Sequence, residues 1–286
     1  MDESVVTEHA DQGTVGFVGA GRIGEPMVER LCAGGHRVLL FARRPEVRAR
    51  LSQLGAQPVA EAVQLAAADV VVSCLYSDRQ ILDVLPGIVS ALRPGAVLVS
   101  HTTGSPATLE RLGGQGIGIV DAPFSGSAEA VRAGRLTVYL GADDEYLPTA
   151  RGIVGSYADP VIIAGGRGSA LRVKLLNNLL FAAISQITLS GLAAGRKLGV
   201  TEKALLGALA VSSGGSAAAR YIDAVGDSGR YVASVTPFLR KDIAACAEVA
   251  ADLGVDLSAL LAAASAGPLK IEAGGSGDRA ADLEDQ

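Results

Sequence analysis

The feature that most limits what this chain can fold into is an alternation running from Thr14 to Gly165. Short runs rich in valine, isoleucine and leucine ("TVGFVG", "HRVLLFA", "ADVVVSCL", "AVLVSH", "GIGIVDA", "LTVYLG" and "PVIIAG") are separated by stretches long enough for a helix. Strands alternating with helix-length segments argue for a parallel sheet covered on both faces. After Gly168 such runs stop. Ser169 to Leu198 is one apolar segment, about 45 Å long if fully helical, followed by Ala/Leu-rich pieces bounded by "SSGGS", "VTPF" and "LGVD". The pattern predicts an α/β domain over residues 13–167 with a doubly wound parallel sheet. A long interdomain helix would join it to an all-α domain over residues 168–272. Residues 1–12 and 273–286 are polar and read as loose tails.

The first chemical motif lies at the first strand–helix junction, "GFVGAGRIGEPMVERLCAGGHRVLLFARRPE". Gly19-x-Gly21-x-x-Gly24 is a weak pattern alone, and the chain has 36 glycines. Here it follows a predicted strand, opens an amphipathic helix and leads into a second strand, which is the Rossmann setting of a dinucleotide-binding turn. Gly19 permits the tight turn, Gly21 lets backbone approach a pyrophosphate, and Gly24 lets helix and strand pack closely, with the helix N-terminus facing the anion. Arg22 and Ile23 in the turn, and Leu75 after the third run, belong to the expected cofactor contacts. Where an NAD site usually places Asp or Glu, the second strand ends in Ala42-Arg43-Arg44. Two guanidinium groups suit a 2'-phosphate, so NADPH is expected over NADH.

Two further segments place polar groups where burial alone would not. "DAPFSGS" leaves the end of a predicted strand, where ligands sit in such sheets, and Ser125-Gly126-Ser127 offers hydroxyls and accessible N–H groups to a small carboxylate. A turn enriched in small residues is the bland alternative. "LRVKLLNNLLF", from Leu171, sets Lys174 and two amides into an apolar helix. Lys174 and Asn178 are four apart and share a face, with Asn177 alongside. A partly desolvated lysine there can exchange a proton with a substrate oxygen while the amide orients the substrate. A lysine paired structurally at a domain junction explains the same residues.

Composition bounds the partners. The chain has 286 residues, 49% of them hydrophobic and 19% charged, with a formal net charge of -5. That balance gives no electrostatic reason to bind nucleic acid or an anionic membrane. Cys32, Cys74 and Cys246 are far apart and odd in number, as suits a reducing cytoplasm. The acidic start "MDESVVTEHADQG" does not read as a signal peptide, and no uninterrupted apolar run looks long enough to span a bilayer. No His/Cys/carboxylate cluster has metal-ligand spacing, so no metal is expected.

Four motifs in order, "FVGAGRIGEPM", "DAPFSGS", "GGRGSALRVKLLNN" and "KDIAACAEVA", resemble those of the β-hydroxyacid dehydrogenases, the group that includes 3-hydroxyisobutyrate dehydrogenase, from Val15 to about Lys270. The resemblance implies an oxidoreductase interconverting a small hydroxy acid and its semialdehyde or oxo acid with NAD(P). It makes Lys174 the general acid/base, and gives Ser125, Gly126 and Asn178 the substrate carboxylate or hydroxyl. It puts Lys241 near the nicotinamide with Asp242 in support, points to Thr103 in "SHTTGSP" as a cofactor contact, and implies a homodimer or homotetramer through the long helix. The chain departs from the family pattern at Ser127, at Ala130-Val131 and at Arg135, where a glycine, a Gly-Ala pair and a threonine are usual. These departures bear on the substrate more than on the reaction. Ser100-His101 replaces the usual acidic start of the cofactor loop, and His101 reads as a hydrogen-bonded strand-end histidine or as a direct participant. Imine reductases share the architecture but typically carry Asp or Tyr at the position of Lys174. A non-catalytic dinucleotide-binding scaffold or redox sensor is the third reading.

Overall fold

The computed structural model describes residues 13–113 and 116–271. The two expected tails, 1–12 and 273–286, lie outside the described residues. The chain divides into two compact units, residues 1–173 and 174–286.

The first unit is built on a nine-stranded sheet. Its strands are β1 (Thr14–Val18), β2 (Arg37–Phe41), β3 (Gln57–Pro58), β4 (Val70–Ser73), β5 (Val97–Ser100), β6 (Gly118–Asp121), β7 (Phe124–Ser125), β8 (Leu136–Gly141) and β9 (Ala158–Gly165). The order is β3-β2-β1-β4-β5-β6-β8-β7, with β9 also on β8. Strands β1 to β6 pair in parallel. The helices between them are α1 (Gly24–Ala33), α2 (Pro45–Gln53), α3 (Asp78–Ala91), α4 (Pro106–Arg111), α5 (Ala128–Arg132) and α6 (Leu147–Val154).

Continuous apolar runs form these strands because both faces are buried. Val70, Val72, Val97 and Val99 point into a core shared with Met27, Val28 and Leu31 of α1. Their alternates Val71 and Leu98 point into a second core with Ile81, Leu85 and Ile88 of α3. The sheet is parallel-dominated, as expected, with a reversal at one end, where β8 runs antiparallel to β6 and β7. The connection from Ser125 to Leu136 holds only the five-residue α5, too short for a parallel crossover, so the chain doubles back. The two-residue strands β3 and β7 carry no run that a sequence pattern would reveal.

The second unit contains most of α7 (Ser169–Lys197), then α8 (Glu202–Leu209), α9 (Ala217–Val225), α10 (Ser228–Asp252) and α11 (Ser258–Ser265). Tyr231, Val235, Leu239 and Ile243 of α10 recur every four residues and pack with Leu175, Leu179, Ala182 and Ala183 of α7. The buried Gln186 is paired at both ends of its amide: it donates to the Ala264 carbonyl at 2.8 Å and accepts from the Leu269 N–H at 3.1 Å. The expectation that no apolar run could span a bilayer is also corrected, since α7 is long and apolar enough by length and composition. Half of its apolar window is buried inside the protein, with Leu175, Leu179, Ala182, Ala183, Leu189 and Leu192 in the core of the second unit.

The sequence boundary at 167/168 and the division at Val173/Lys174 differ because the first turn of α7 belongs to the first unit. Leu171 is buried in the α3-side core. Asp121, at the end of β6, accepts hydrogen bonds from the N–H groups of Gly168 at 2.7 Å and Leu171 at 2.9 Å.

Candidate active site

The parallel order places the carboxyl ends of β2, β1, β4, β5 and β6 side by side. The loops that follow them carry Arg43 and Arg44, then Gly19 to Gly24, then Leu75, then Thr103, and finally the Ser125 loop. Residues spread over more than a hundred positions thus lie along one edge, and the crevice at the change of winding direction between β1 and β4 is where ligands bind in such sheets.

The glycine turn has the shape its spacing implies. Gly19 has φ of +94°, and a Cβ there would sit 2.3 Å from the Cys74 carbonyl oxygen. A Cβ on Gly24 would lie 2.1 Å from the Gly19 oxygen and 3.1 Å from the Phe17 ring. These two glycines are required by the protein's own packing. At Gly21 a Cβ would meet nothing within 4 Å, so internal packing leaves that side of the turn open to a diphosphate. No side chain caps α1 at Ile23; in its first turn the Glu25 N–H donates to the Gly21 carbonyl at 2.9 Å and Pro26 carries no N–H, which leaves the Gly24 N–H without a side-chain acceptor at the start of the helix. Arg44 reaches back to the Ala20 carbonyl at 3.3 Å, which brings its guanidinium to the turn. Arg43 is exposed and has no side-chain partner among the described residues. Leu75 and the cofactor loop are tied together, since the Thr102 hydroxyl donates to the Leu75 carbonyl at 2.9 Å, beside Thr103. These residues fit a dinucleotide.

In the Ser125 loop the three residues do different things. Ser125 is half-buried and paired across β7–β8 with Thr137. Gly126 has φ of +138°, and a Cβ there would lie 2.9 Å from Leu136 Cδ1, so the position admits only glycine. Ser127 caps α5, its hydroxyl accepting from the Ala130 N–H at 3.4 Å. The same hydroxyl heads the interactions that hold the Glu129 carboxyl below its usual range, ahead of the Arg22 and Arg132 charges. The Ser127 oxygen is engaged within the protein, whereas the Ser125 side chain has no partner among the described residues. The helix that the glycine turn opens, α1, packs against α5.

His101 is buried, with Nδ1 2.6 Å from the Ala122 carbonyl and Nε2 2.8 Å from the Tyr157 hydroxyl. The carbonyl can only accept, so Nδ1 carries the proton and Nε2 accepts from tyrosine. Burial lowers its pKa to about 4 against the opposing Ala122 bond. Both nitrogens are satisfied in a neutral ring, which makes it a strut.

In the second unit, Lys174, Asn177 and Asn178 on α7 meet Lys241 and Asp242 on α10. Asn178 donates its amide to Asp242 Oδ2 at 2.6 Å and accepts from the Asn177 amide at 3.0 Å. One N–H of Asn178 therefore remains for a ligand. Lys241 Nζ lies 3.4 Å from Asp242 Oδ1. Burial lowers the Lys174 pKa to about 8, with the Asp242 charge opposing and the Lys241 charge assisting. Burial also pushes the Asp242 carboxyl up, against the pull of Lys241, Asn178 and Lys174. A lysine that titrates near neutral pH, held beside an amide and a carboxylate, can both give and take a proton. The sequence reading missed how Asn178 is used, because its partner Asp242 is 64 residues away. It also missed Asp121. Among the described residues, no three His, Cys, Asp or Glu side chains are grouped to hold a metal ion.

The first unit is that of a dinucleotide-binding protein. Residues 14–166 match the family model described as the NAD binding domain of 6-phosphogluconate dehydrogenase. Residues 168–282 match the one described as NAD-binding of NADP-dependent 3-hydroxyisobutyrate dehydrogenase. The chain belongs to the 3-hydroxyisobutyrate dehydrogenase family. It is 34% identical over 182 residues to an uncharacterized oxidoreductase of Mycobacterium tuberculosis, covering 61% of this chain and 62% of that one. It is 29% identical over 213 residues to the mitochondrial 3-hydroxyisobutyrate dehydrogenase of Rattus norvegicus, covering 72% of this chain and 64% of the relative. The chain thus spans less than two thirds of the length of these relatives. A solved structure of Mycobacterium tuberculosis 3-hydroxyisobutyrate dehydrogenase with L-serine has a TM-score of 0.79 at 23% identity, covering 88% of this chain and 91% of that one, a likeness of fold.

Proposed function

We propose that the protein is an NADP-dependent oxidoreductase that interconverts a small β-hydroxy acid and its semialdehyde or oxo acid. The observation that carries this reading is Lys174, whose pKa of about 8 suits reversible proton exchange with an alcohol oxygen. The nicotinamide, when bound, supplies or accepts the hydride. The open side of Gly21, the uncapped start of α1 and Arg43 and Arg44 support binding of its phosphates, the two arginines favouring the 2'-phosphate of NADP over NAD. Ser125 and Gly126 take the substrate carboxylate. Lys174 donates its proton to the forming alkoxide in reduction, and in its neutral form removes the hydroxyl proton in oxidation. Asn178 offers its remaining N–H to the substrate and, with Asp242, holds the lysine's face of α7.

A second copy of the chain completes the reading. Val173, Leu176, Leu180, Ile184 and Ile187 repeat at three- and four-residue steps along α7 and are each 40% exposed or more. That apolar stripe supports a homodimer built on the long helix. Three free thiols, Cys32, Cys74 and Cys246, suit a cytoplasmic setting.

The test is NADP+ reduction, with NAD+ in parallel, across 3-hydroxy and 4-hydroxy acids, using wild type, Lys174→Ala and Arg43→Ala. The reading expects turnover of a hydroxy acid, its loss in Lys174→Ala with NADP affinity kept, and a KM for NADP+ raised about tenfold in Arg43→Ala. A Lys174→Ala enzyme with near-normal turnover would defeat the assignment. Turnover of a cyclic imine with NADPH, and of no hydroxy acid, would favour imine reduction on the same scaffold.

A further inference from the structure

The three departures of the substrate loop from the family pattern have different fates in the fold. Ser127 is used as a helix cap and a donor to Glu129. Val131 is fully buried, and Ala130 packs against the same core. Arg135 alone is directed outward.

Phe124, Val138 and Leu136 all face the core shared with α1. Side chains alternate along a strand, so Ser125 and Thr137 share the opposite face of the β7–β8 hairpin, and the exposed Arg135, one residue before β8 begins, continues that side. Ser125 is directly opposite Thr137, and Arg135 stands two residues further along, about 7 Å on. The backbone of Arg135 is fixed, its N–H donating to the Ala130 carbonyl at 2.8 Å. Its guanidinium is exposed and has no side-chain partner among the described residues. Neighbouring arginines are engaged: Arg132 with Glu29, Arg30 with the Ser156 carbonyl, Arg44 with Ala20. Glu129, the carboxylate of the intervening helix, accepts from the Ser127 hydroxyl, and no ion pair joins it to Arg135 among the described residues.

We propose that Arg135 is a specificity-determining residue that binds a second carboxylate, so that the preferred substrate is a dicarboxylic hydroxy acid of four or five carbons. This rests on the hydroxy-acid reading above. Ser125 and Gly126 hold one carboxylate, and the guanidinium fork, one strand step away on the same face, takes the other in the planar geometry that suits it. A threonine here offers one hydroxyl and no charge.

The experiment compares pairs matched in size but not in charge: 3-hydroxybutyrate against malate, and 3-hydroxypentanoate against 3-hydroxyglutarate, both enantiomers where they exist, with NADP+. Wild type and Arg135→Thr are assayed, with thermal melting to confirm that the exposed substitution leaves the fold intact. The expected result is a dicarboxylate preference of tenfold or more in kcat/KM. In Arg135→Thr it collapses through KM, while the monocarboxylates change less than twofold. Turnover of monocarboxylates with no dicarboxylate preference, or a preference that Arg135→Thr leaves unchanged, overturns the role of Arg135 and spares the hydroxy-acid reading. Turnover of neither class, with NADP+ still bound, overturns both.

Discussion

Replacing Lys174 with methionine keeps the apolar stem and removes the proton. A lysine ordinarily titrates at 10.5, and burial brings Lys174 to about 8. A fall of two to three units is on the order of 3 kcal/mol of strain on the folded state when the group is charged. Because the folded pKa is below the unfolded one, the strain is full below pH 8. It fades between about 8 and 10.5 and is gone above, so stability attributable to this group rises with pH across that window. Lys174→Met removes the strain but also takes one cation from Asp242, which keeps Lys241 at 3.4 Å and Asn178 at 2.6 Å. The Asp242 attraction is already contained in the shift to about 8, so the net expectation at pH 7 is a gain of up to about 3 kcal/mol, vanishing above pH 10.5. Urea unfolding at several pH values measures it, taking the two units' transitions separately.

The same shift sets the rate. At pH 7.5 a lysine of pKa about 8 is roughly one quarter neutral, against about one part in a thousand at 10.5. Oxidation should therefore rise with pH and level off above 8, while reduction should fall over the same range. Lys174→Met should lose about a thousandfold in turnover without losing stability. A variant destabilised by more than about 2 kcal/mol would show that the lysine is a structural ion-pair partner, and the reasoning would fail.

Asp242→Asn should move the inflection of the pH–rate profile to lower pH, and Lys241→Gln to higher pH, since the first charge raises and the second lowers the Lys174 pKa. Profiles that stay superimposed would deny electrostatic contact. Asp121→Asn turns an N–H toward one of the two donors the carboxylate now accepts, at Gly168 and Leu171. It should cost about 2–4 kcal/mol in the first unit's unfolding, and a cost under about 0.5 would mean the cap is dispensable. Ile184→Glu, on the exposed stripe of α7, should convert a dimer to a monomer in light scattering; a wild-type monomer at micromolar concentration would remove the stripe's proposed role.

What could be read from the sequence was whatever repeats within a few residues. The buried strands announce themselves because Val70 to Val72 and Val97 to Val99 must satisfy two cores at once. The glycine turn does so because Gly19 and Gly24 collide with backbone if given a side chain. Lys174 and Asn178 could be placed on one face from helix geometry alone. The reversal at β8 could not be seen, because it depends on a connection being too short, and the run "LTVYLG" has the same composition in either direction. Nor could Asp121, whose partners are 47 and 50 residues away. A carboxylate at the last residue of a strand looks like any polar stop. Its role appears only when the start of α7 is folded against it, and then Gly141 becomes explicable too, since a Cβ there would meet the Asp121 carboxylate at 2.6 Å. The same distance in sequence concealed Asp242 from Asn178. An amide read as a ligand for substrate is bound into the scaffold, donating to Asp242 at 2.6 Å, beside a lysine whose pKa burial lowers and that carboxylate raises.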